Sequence, residues 1–404
     1  VSFYVRFVQF AFVLLMRILH VIKATGIAGA EKHLLTLIPG LRARGIDARL
    51  IALVEPDNAV EALAHAVQDA DVPFERVVIC ANADLSLVPR LMRVFRAYHP
   101  DIVHTHLLHA DLYGIPAARL AGVRHVVTSR HNDDQFRRTA HWRMIHRLQW
   151  RMVDAGIAIS DAIKAFCVEI EGAPEGKIET IRYGLSVSPP LPNPLPVNRE
   201  GELAARADGD RVGRPLIIAL MCRLIPQKGV IYGIDAFARL AADYPHTRLL
   251  IAGDGDLRAE LEAHVRTLGL SHRVEFLGWQ ADIHPIMAHT DIFLMPSLWE
   301  GFGLVLLEAM SHALPIIASR VSAIPEIVID GETGVLVAPR DADGLASAMR
   351  CLLDDSDLRA RMGKAGYARL HAVFGAENMI DATLNLYHSL TRRRKVKKKA
   401  ARTR

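Results

Sequence analysis

The segment SLWEGFGLVLLEAM, residues 297–310, holds two carboxylates, Glu300 and Glu308, with Gly301 and Gly303 between them. It continues from DIFLMPS, residues 291–297, an apolar run that reads as a buried strand. Glu300 therefore falls in the turn past a strand end, and a helix starting near Gly303 places Glu308 in its second turn. A helix start offers free N–H groups and the positive end of a dipole, which suit phosphate. Glycines there remove side chains where backbone must approach a ligand. A carboxylate beside a phosphate site is costly unless it faces something neutral. Sugar hydroxyls fit, because an ionised Glu accepts two hydrogen bonds from a vicinal diol. The expectation is that Glu308 grips a ribose and Glu300 a donor sugar.

The opposite charge comes from CRLIPQKG, residues 222–229. Arg223 closes the strand LIIALMC, and Lys228 follows after a proline turn. Two cations at a strand end can neutralise a diphosphate as it leaves. An isolated Arg and Lys are ordinarily solvated surface charge. The strand-end placement and the paired Glu residues favour a binding cleft instead.

Outward from this segment the chain repeats one theme, a short apolar strand, a turn and an amphipathic helix. RILHVI, ARLIALV, ERVVI, DIVHTH, HVVTSR, AGIAIS and IETIRYG are the strands of the first half. LIIALMCR, TRLLIAGD, VEFLG, DIFLMPS, LPIIAS and TGVLV are those of the second. Continuous apolar strands alternating with helices indicate parallel sheets covered on both faces. Residues 186–214 interrupt the pattern with proline and charge and read as a linker. The expected architecture is α/β: two doubly wound, Rossmann-like parallel-sheet domains facing a cleft, at 17–185 and 215–375. A last helix over 376–390 is expected to return to the first domain.

The termini differ from this body. Residues 391–404, TRRRKVKKKAARTR, carry nine Lys or Arg and no acid, and without them 40 basic residues face 44 acidic ones. The tail reads as a solvated terminus or as a device for anionic lipid head groups. No binding fold for nucleic acid accompanies it. The apolar start, residues 1–16, is too short to span a bilayer. It reads as the product of a start codon upstream of Met16, or as a short membrane-surface anchor. Residues 130–152 read as a basic, Trp-containing helix with its preceding loop, either packed on its domain or interfacial. Four scattered cysteines without a CxxC pair argue against a disulfide framework and a cysteine-ligated metal. A cytoplasmic protein is expected, with the inner face of the cytoplasmic membrane as a further candidate location.

Taken together these motifs resemble the family 4 retaining glycosyltransferases of GT-B fold. EGFGLVLLEA is similar to that family's E-x7-E motif and RLIPQKG to its R-x4-K element, while IAGDGDLRAELE and VEFLG match in order and spacing. The resemblance runs from about Arg17 to Tyr387. It implies that Arg223 and Lys228 bind the nucleotide diphosphate, Glu300 the donor sugar and Glu308 the ribose. The run Gly301, Phe302, Gly303 and Leu304 then belongs to the same donor site. The base is expected near Gly278, Trp279 and Gln280. TGIAGAEKH, residues 25–33, resembles the GGxE loop; Ala28 replaces its first glycine and Gly29 keeps the second. His131 in TSRHN matches a histidine that hydrogen-bonds the donor sugar.

The implied activity is retaining transfer from a UDP- or GDP-sugar to a hydroxyl of a glycan or lipid-linked acceptor, in envelope polysaccharide, lipopolysaccharide or glycolipid synthesis. No cofactor and no metal are expected. His104 and His106 have a metal-ligand spacing, but no third ligand stands at a convincing position, and a structural or acceptor-lining role is expected. Asp254 and Asp256 read as turn and cap residues rather than a D-x-D metal motif. A sugar phosphorylase, a GT-B epimerase and a non-catalytic sugar-nucleotide binding protein are the alternatives. The chain departs from the family pattern at Tyr183, where Asn is common, and at Ala313, Ser322 and Ala323, where Gly is frequent.

Overall fold

The computed structural model describes residues 15–80, 83–186 and 214–402, with the short pieces 195–196 and 204–205. The apolar start, most of the linker and the final residues, on which expectations were placed, lie outside it.

Seven strands form the first sheet: β1 (Arg17–Lys23), β2 (Asp47–Val54), β3 (Phe74–Val78), β4 (Ile102–His106), β5 (His125–Arg130), β6 (Ala155–Ala158) and β7 (Ile178–Thr180). Their order is β3-β2-β1-β4-β5-β6-β7, and every pairing is parallel. Six strands form the second: β8 (Leu216–Met221), β9 (Thr247–Ala252), β10 (Val274–Gly278), β11 (Ile292–Met295), β12 (Ile316–Ser319) and β13 (Gly334–Val337). Their order is β10-β9-β8-β11-β12-β13, again all parallel. Both sheets are thus doubly wound, as expected. The apolar run IFLM of β11 is buried at every position, and so is IVHTH of β4 despite its two His and one Thr. Helices cover both faces of such a sheet, so nothing selects for polar alternation.

In each sheet the winding reverses between the first strand and the fourth, at β1/β4 and at β8/β11. Loops leave such a reversal in opposite directions and open a crevice at the carboxyl ends of the strands. The Gly29 loop follows β1, the Arg223 loop follows β8 and the Glu300 turn follows β11.

The chain ends on the helix Ala376–Arg402. Its Met379, Ile380, Leu386 and Tyr387 are buried in one cluster with Ile18, Leu34 and Leu37 of the first domain. At Gly40 of the helix Gly29–Ala43, a Cβ would sit 2.3 Å from the Ile380 side chain, so the two helices meet closely there. This helix continues through most of the basic stretch instead of stopping at residue 390. That stretch holds no Gly or Pro and is written in good helix formers. Among the described residues, no helix is long and apolar enough to cross a membrane.

Candidate active site at the interdomain cleft

β8 ends at Met221, and the chain turns through Arg223 and a 3₁₀ turn, Pro226–Lys228. β11 ends at Met295 and leads to Glu300. The two strands pair, so their loops lie side by side. The Lys228 Nζ donates to the Glu300 carboxylate at 2.5 Å, with the side chains 15% and 11% exposed. Arg223 is exposed on the cleft surface. It lies near Glu31 of the first domain. Burial raises the Glu31 carboxyl above its usual range, while two backbone N–H groups, one of them that of Ala28, and then Arg223 oppose the rise. Cys222 beside them is pushed up to about 12, chiefly by burial, so its thiol stays protonated.

The helix Leu304–Ser311 begins on Gly303, whose φ of +93° is a left-handed conformation that glycine adopts without penalty. Glu308 projects from its second turn and is nearly buried. Its carboxylate accepts a hydrogen bond at 2.7 Å from Lys32, which belongs to the first domain. The starts of the two helices face one another: a Cβ at Gly29 would lie 3.8 Å from Leu304. Arg223, Lys228, Glu300 and Glu308 therefore all reach one cleft.

Other expected residues have different surroundings. A Cβ at Gly301 would lie 2.2 Å from the His131 carbonyl oxygen, so this glycine admits the opposite domain's backbone, a role the sequence did not indicate. The Phe302 ring is 2% exposed and packs edge-on against Tyr183 and Phe374, leaving only its backbone toward the cleft. Trp279, at the end of β10, is 72% exposed beside Gly278. Its free indole face is available to a planar ligand.

Both ring nitrogens of His131 have partners within the first domain. Its Nε2 shares a hydrogen bond with His106 Nδ1 at 3.2 Å, and its Nδ1 bonds the Tyr183 hydroxyl. The string continues from His106 Nε2 to His20 Nδ1 at 3.0 Å. His104 bonds Tyr387 at 2.6 Å and Ser129 at 2.8 Å. All four imidazoles are buried. His20, His104 and His106 each bring a nitrogen within 4.8 Å of the others, a spacing a metal could use. Hydrogen bonds already occupy both nitrogens of His104 and His106; only His20 Nε2 lacks a partner. The third histidine was missed because it lies on β1. Its signal is register: a parallel β1/β4 pair places His20 opposite His104.

The departures from the family pattern differ in their backbone conformation. Ala28 is extended, with φ of −123°, and needs no glycine. Ala313 and Ser322 take φ of +50° and +46°, which is where glycine would be at ease. Asp254 accepts from the Gly255 N–H and from Arg258, as a turn residue does.

Sequence reasoning also missed Lys32 and Glu326, and met Glu31 only as the Glu of the GGxE match. Glu326 belongs to the second domain, yet its carboxylate accepts the N–H groups of Asp161 and Ala162 at 2.9 and 2.8 Å. These open the helix Asp161–Glu169 of the first domain. Arg182 pairs with the same carboxylate at 3.0 Å. No local pattern marks a contact between residues so far apart in the chain.

Residues 203–369 match the family model for glycosyl transferases group 1, and residues 27–188 match that for glycosyltransferase family 4. A glycogen synthase of Mycobacterium tuberculosis is 30% identical over 305 residues, covering 72% of this chain and 69% of that protein. The UDP-Gal:alpha-D-GlcNAc-diphosphoundecaprenol alpha-1,3-galactosyltransferase of Escherichia coli is 28% identical, over 80% of this chain and 86% of its own. The solved structure of Anabaena HepE with UDP and glucose superposes with a TM-score of 0.79 at 22% identity, over 93% of this chain and 100% of that one. The two-sheet architecture, the cleft carrying Arg223, Lys228, Glu300 and Glu308, and these likenesses agree: the chain belongs to the family 4 glycosyltransferases of GT-B fold.

Proposed function

We propose that this glycosyltransferase takes its sugar from a nucleoside diphosphate and passes it, with retention of configuration, to the hydroxyl of a lipid-linked or envelope glycan. The observation that carries this is the convergence of Arg223, Lys228, Glu300 and Glu308 at the carboxyl ends of β8 and β11. The glycosidic C–O bond to the diphosphate breaks, leaving positive charge on the sugar and negative charge on the phosphate oxygens. Arg223, Lys228 and the N–H groups at the start of the helix Leu304–Ser311 are placed to balance the second charge. Glu300 and Glu308 accept from hydroxyls of the sugar and the ribose. The acceptor oxygen bonds the anomeric carbon on the face the phosphate leaves, and its proton passes to the leaving phosphate oxygen. No metal enters this step. Positioning between the two domains then supplies much of the rate.

Two observations support an acceptor at a bilayer surface. The acceptor named for the Escherichia coli relative is a sugar on diphosphoundecaprenol. The helix Ala140–Met152 and the turn Gln135–Arg138 before it carry no acid. Met144 and Leu148 stand 62% and 51% exposed there, with Phe136 exposed nearby. Arg138, Arg143, Arg147 and Arg151 are exposed around them. A basic face with apolar tips suits an anionic head-group layer, at about 1 kcal/mol per basic residue near the surface. The turn that opens this face follows the carboxyl end of β5, the edge of the sheet that borders the cleft. The basic C-terminal segment adds charge of the same sign.

Thermal shift with UDP- and GDP-sugars identifies the donor, since a bound ligand raises the melting temperature by mass action. Transfer to a lipid-linked glycan with the product's anomeric configuration retained is the expected outcome. Sugar 1-phosphate formed from free phosphate, or no stabilisation by any nucleotide sugar, overturns the reading.

A further inference from the structure

Lys32 occupies an electrostatically adverse place. It is the fourth residue of the helix Gly29–Ala43, where the helix dipole disfavours a cation. What holds it is Glu308, across the cleft at 2.7 Å. The dependence is mutual. The Glu308 side chain is 8% exposed, and Lys32 is its one hydrogen-bond partner among the described residues. A nearly buried carboxylate is costly without a partner. The Lys32 side chain is 46% exposed, so it is free to swing on its four-carbon stem.

We propose that Lys32 is a donor-binding residue that exchanges partners: the ribose diol displaces it from Glu308, and it then pairs with the diphosphate attached to that ribose. This rests on the donor reading above. The diol satisfies both Glu308 oxygens, so the carboxylate loses nothing by the exchange. The freed ammonium stands where the starts of two helices face each other, Gly29 on one side and Leu304 on the other. An anion delivered there meets Lys32 from the first domain and Arg223 and Lys228 from the second. The first domain thereby senses whether the nucleoside carries phosphate. A nucleoside alone would break the cross-cleft pair and give Lys32 no new partner.

The test separates nucleoside from nucleoside diphosphate. Calorimetric titration of the full chain compares uridine with UDP, and guanosine with GDP, in the wild type, Lys32→Met and Lys32→Arg. Lys32→Met keeps most of the stem and removes both the competitor and the phosphate partner. It is expected to bind the nucleoside at least as tightly as the wild type and the diphosphate at least tenfold more weakly. The diphosphate-to-nucleoside affinity ratio therefore falls by tenfold or more, and Lys32→Arg restores it. An unchanged ratio in Lys32→Met, or equal weakening of both ligands, overturns the exchange while leaving the donor site intact. A wild type that binds neither diphosphate overturns the donor reading and the exchange with it. Melting curves of the free variants confirm the fold before titration.

Discussion

Lys228 and Glu300 lie 2.5 Å apart on adjacent loops of the second domain, each mostly withdrawn from water. Across the two loops they neutralise one another. Their usefulness depends on parting: the ammonium toward a phosphate oxygen, the carboxylate toward a sugar hydroxyl. A pair held this way is preorganised, because each charge is already partly desolvated when the donor arrives.

Lys228→Ala is accordingly expected to lower transfer by roughly 100-fold or more, as loss of a charge-stabilising donor does. It also strands the Glu300 carboxylate, at about 1–3 kcal/mol of stability. The double variant Lys228→Met/Glu300→Gln removes both charges and should regain stability without regaining transfer. Urea unfolding and a transfer assay read the two effects separately. Wild-type turnover in Lys228→Ala would remove this residue from the site.

The framework was legible because parallel strands buried on both faces are written as apolar runs, and a carboxyl-end loop then follows by counting. RILHVI and DIFLMPS needed no tertiary knowledge. Arg223, Lys228 and Glu300 were placed for the same reason, each lying within seven residues of a strand end, and Glu308 by counting on into the helix that follows. Partners across the cleft were not. Lys32 and Glu308 are 276 positions apart, and nothing local to either names the other. Gly301 was legible as a residue that must lack a side chain, but not the His131 carbonyl that imposes it. The buried histidine string depended on register between β1 and β4, which single-strand patterns do not encode.

The two departures from glycine at left-handed positions give opposite expectations. Ala313 at φ of +50° bears the strain of a Cβ in that region, about 1–2 kcal/mol, against which glycine's extra unfolded-state freedom costs about 0.5–1 kcal/mol. Ala313→Gly should therefore stabilise the chain by about 0.5–1 kcal/mol, read as a raised urea midpoint. Ser322→Gly should not. The Ser322 hydroxyl accepts the Glu300 N–H and donates to Asp133 of the other domain, both at 3.3 Å. A gain from Ser322→Gly equal to that from Ala313→Gly would show that these bonds contribute nothing.

The buried imidazoles set an acid limit. Burial, with His33 on the buried face of the helix Gly29–Ala43 adding to it, lowers the His20 pKa to about 3, and burial alone brings His33 to about 3. Both stay neutral in the fold while the unfolded chain takes up protons below about 6.5. Their contribution is fully present above that value and is lost as pH falls from about 6.5 toward about 3. Each group's loss is about 1.4 kcal/mol per pH unit in that window. Urea midpoints should hold level from pH 8 to 7 and drop steeply below 6. His20→Leu removes one such group, so its stability should decline less steeply between pH 6 and 5. A decline parallel to the wild type would mean that His20 is protonated in the fold.

Glu326 joins the domains one helical turn past Ser322, which bonds the Glu300 N–H. Its carboxylate caps the helix Asp161–Glu169 from the opposite domain and also holds Arg182. Hydrogen bonds to a charged acceptor contribute about 1.5–3 kcal/mol each when made in the fold, and a helix N-terminus favours the negative charge. Glu326→Gln keeps the shape and one accepting oxygen but removes the charge. The closed arrangement should lose about 1–3 kcal/mol, while each domain keeps its own core. Small-angle scattering should then report a larger radius of gyration for the free variant. The donor KM should rise several-fold, with kcat at saturating donor less affected, because bound donor pulls the domains together again. If scattering and KM both match the wild type, the domains are held by their other contacts, such as His131 on Gly301, and Glu326 serves only the helix it caps.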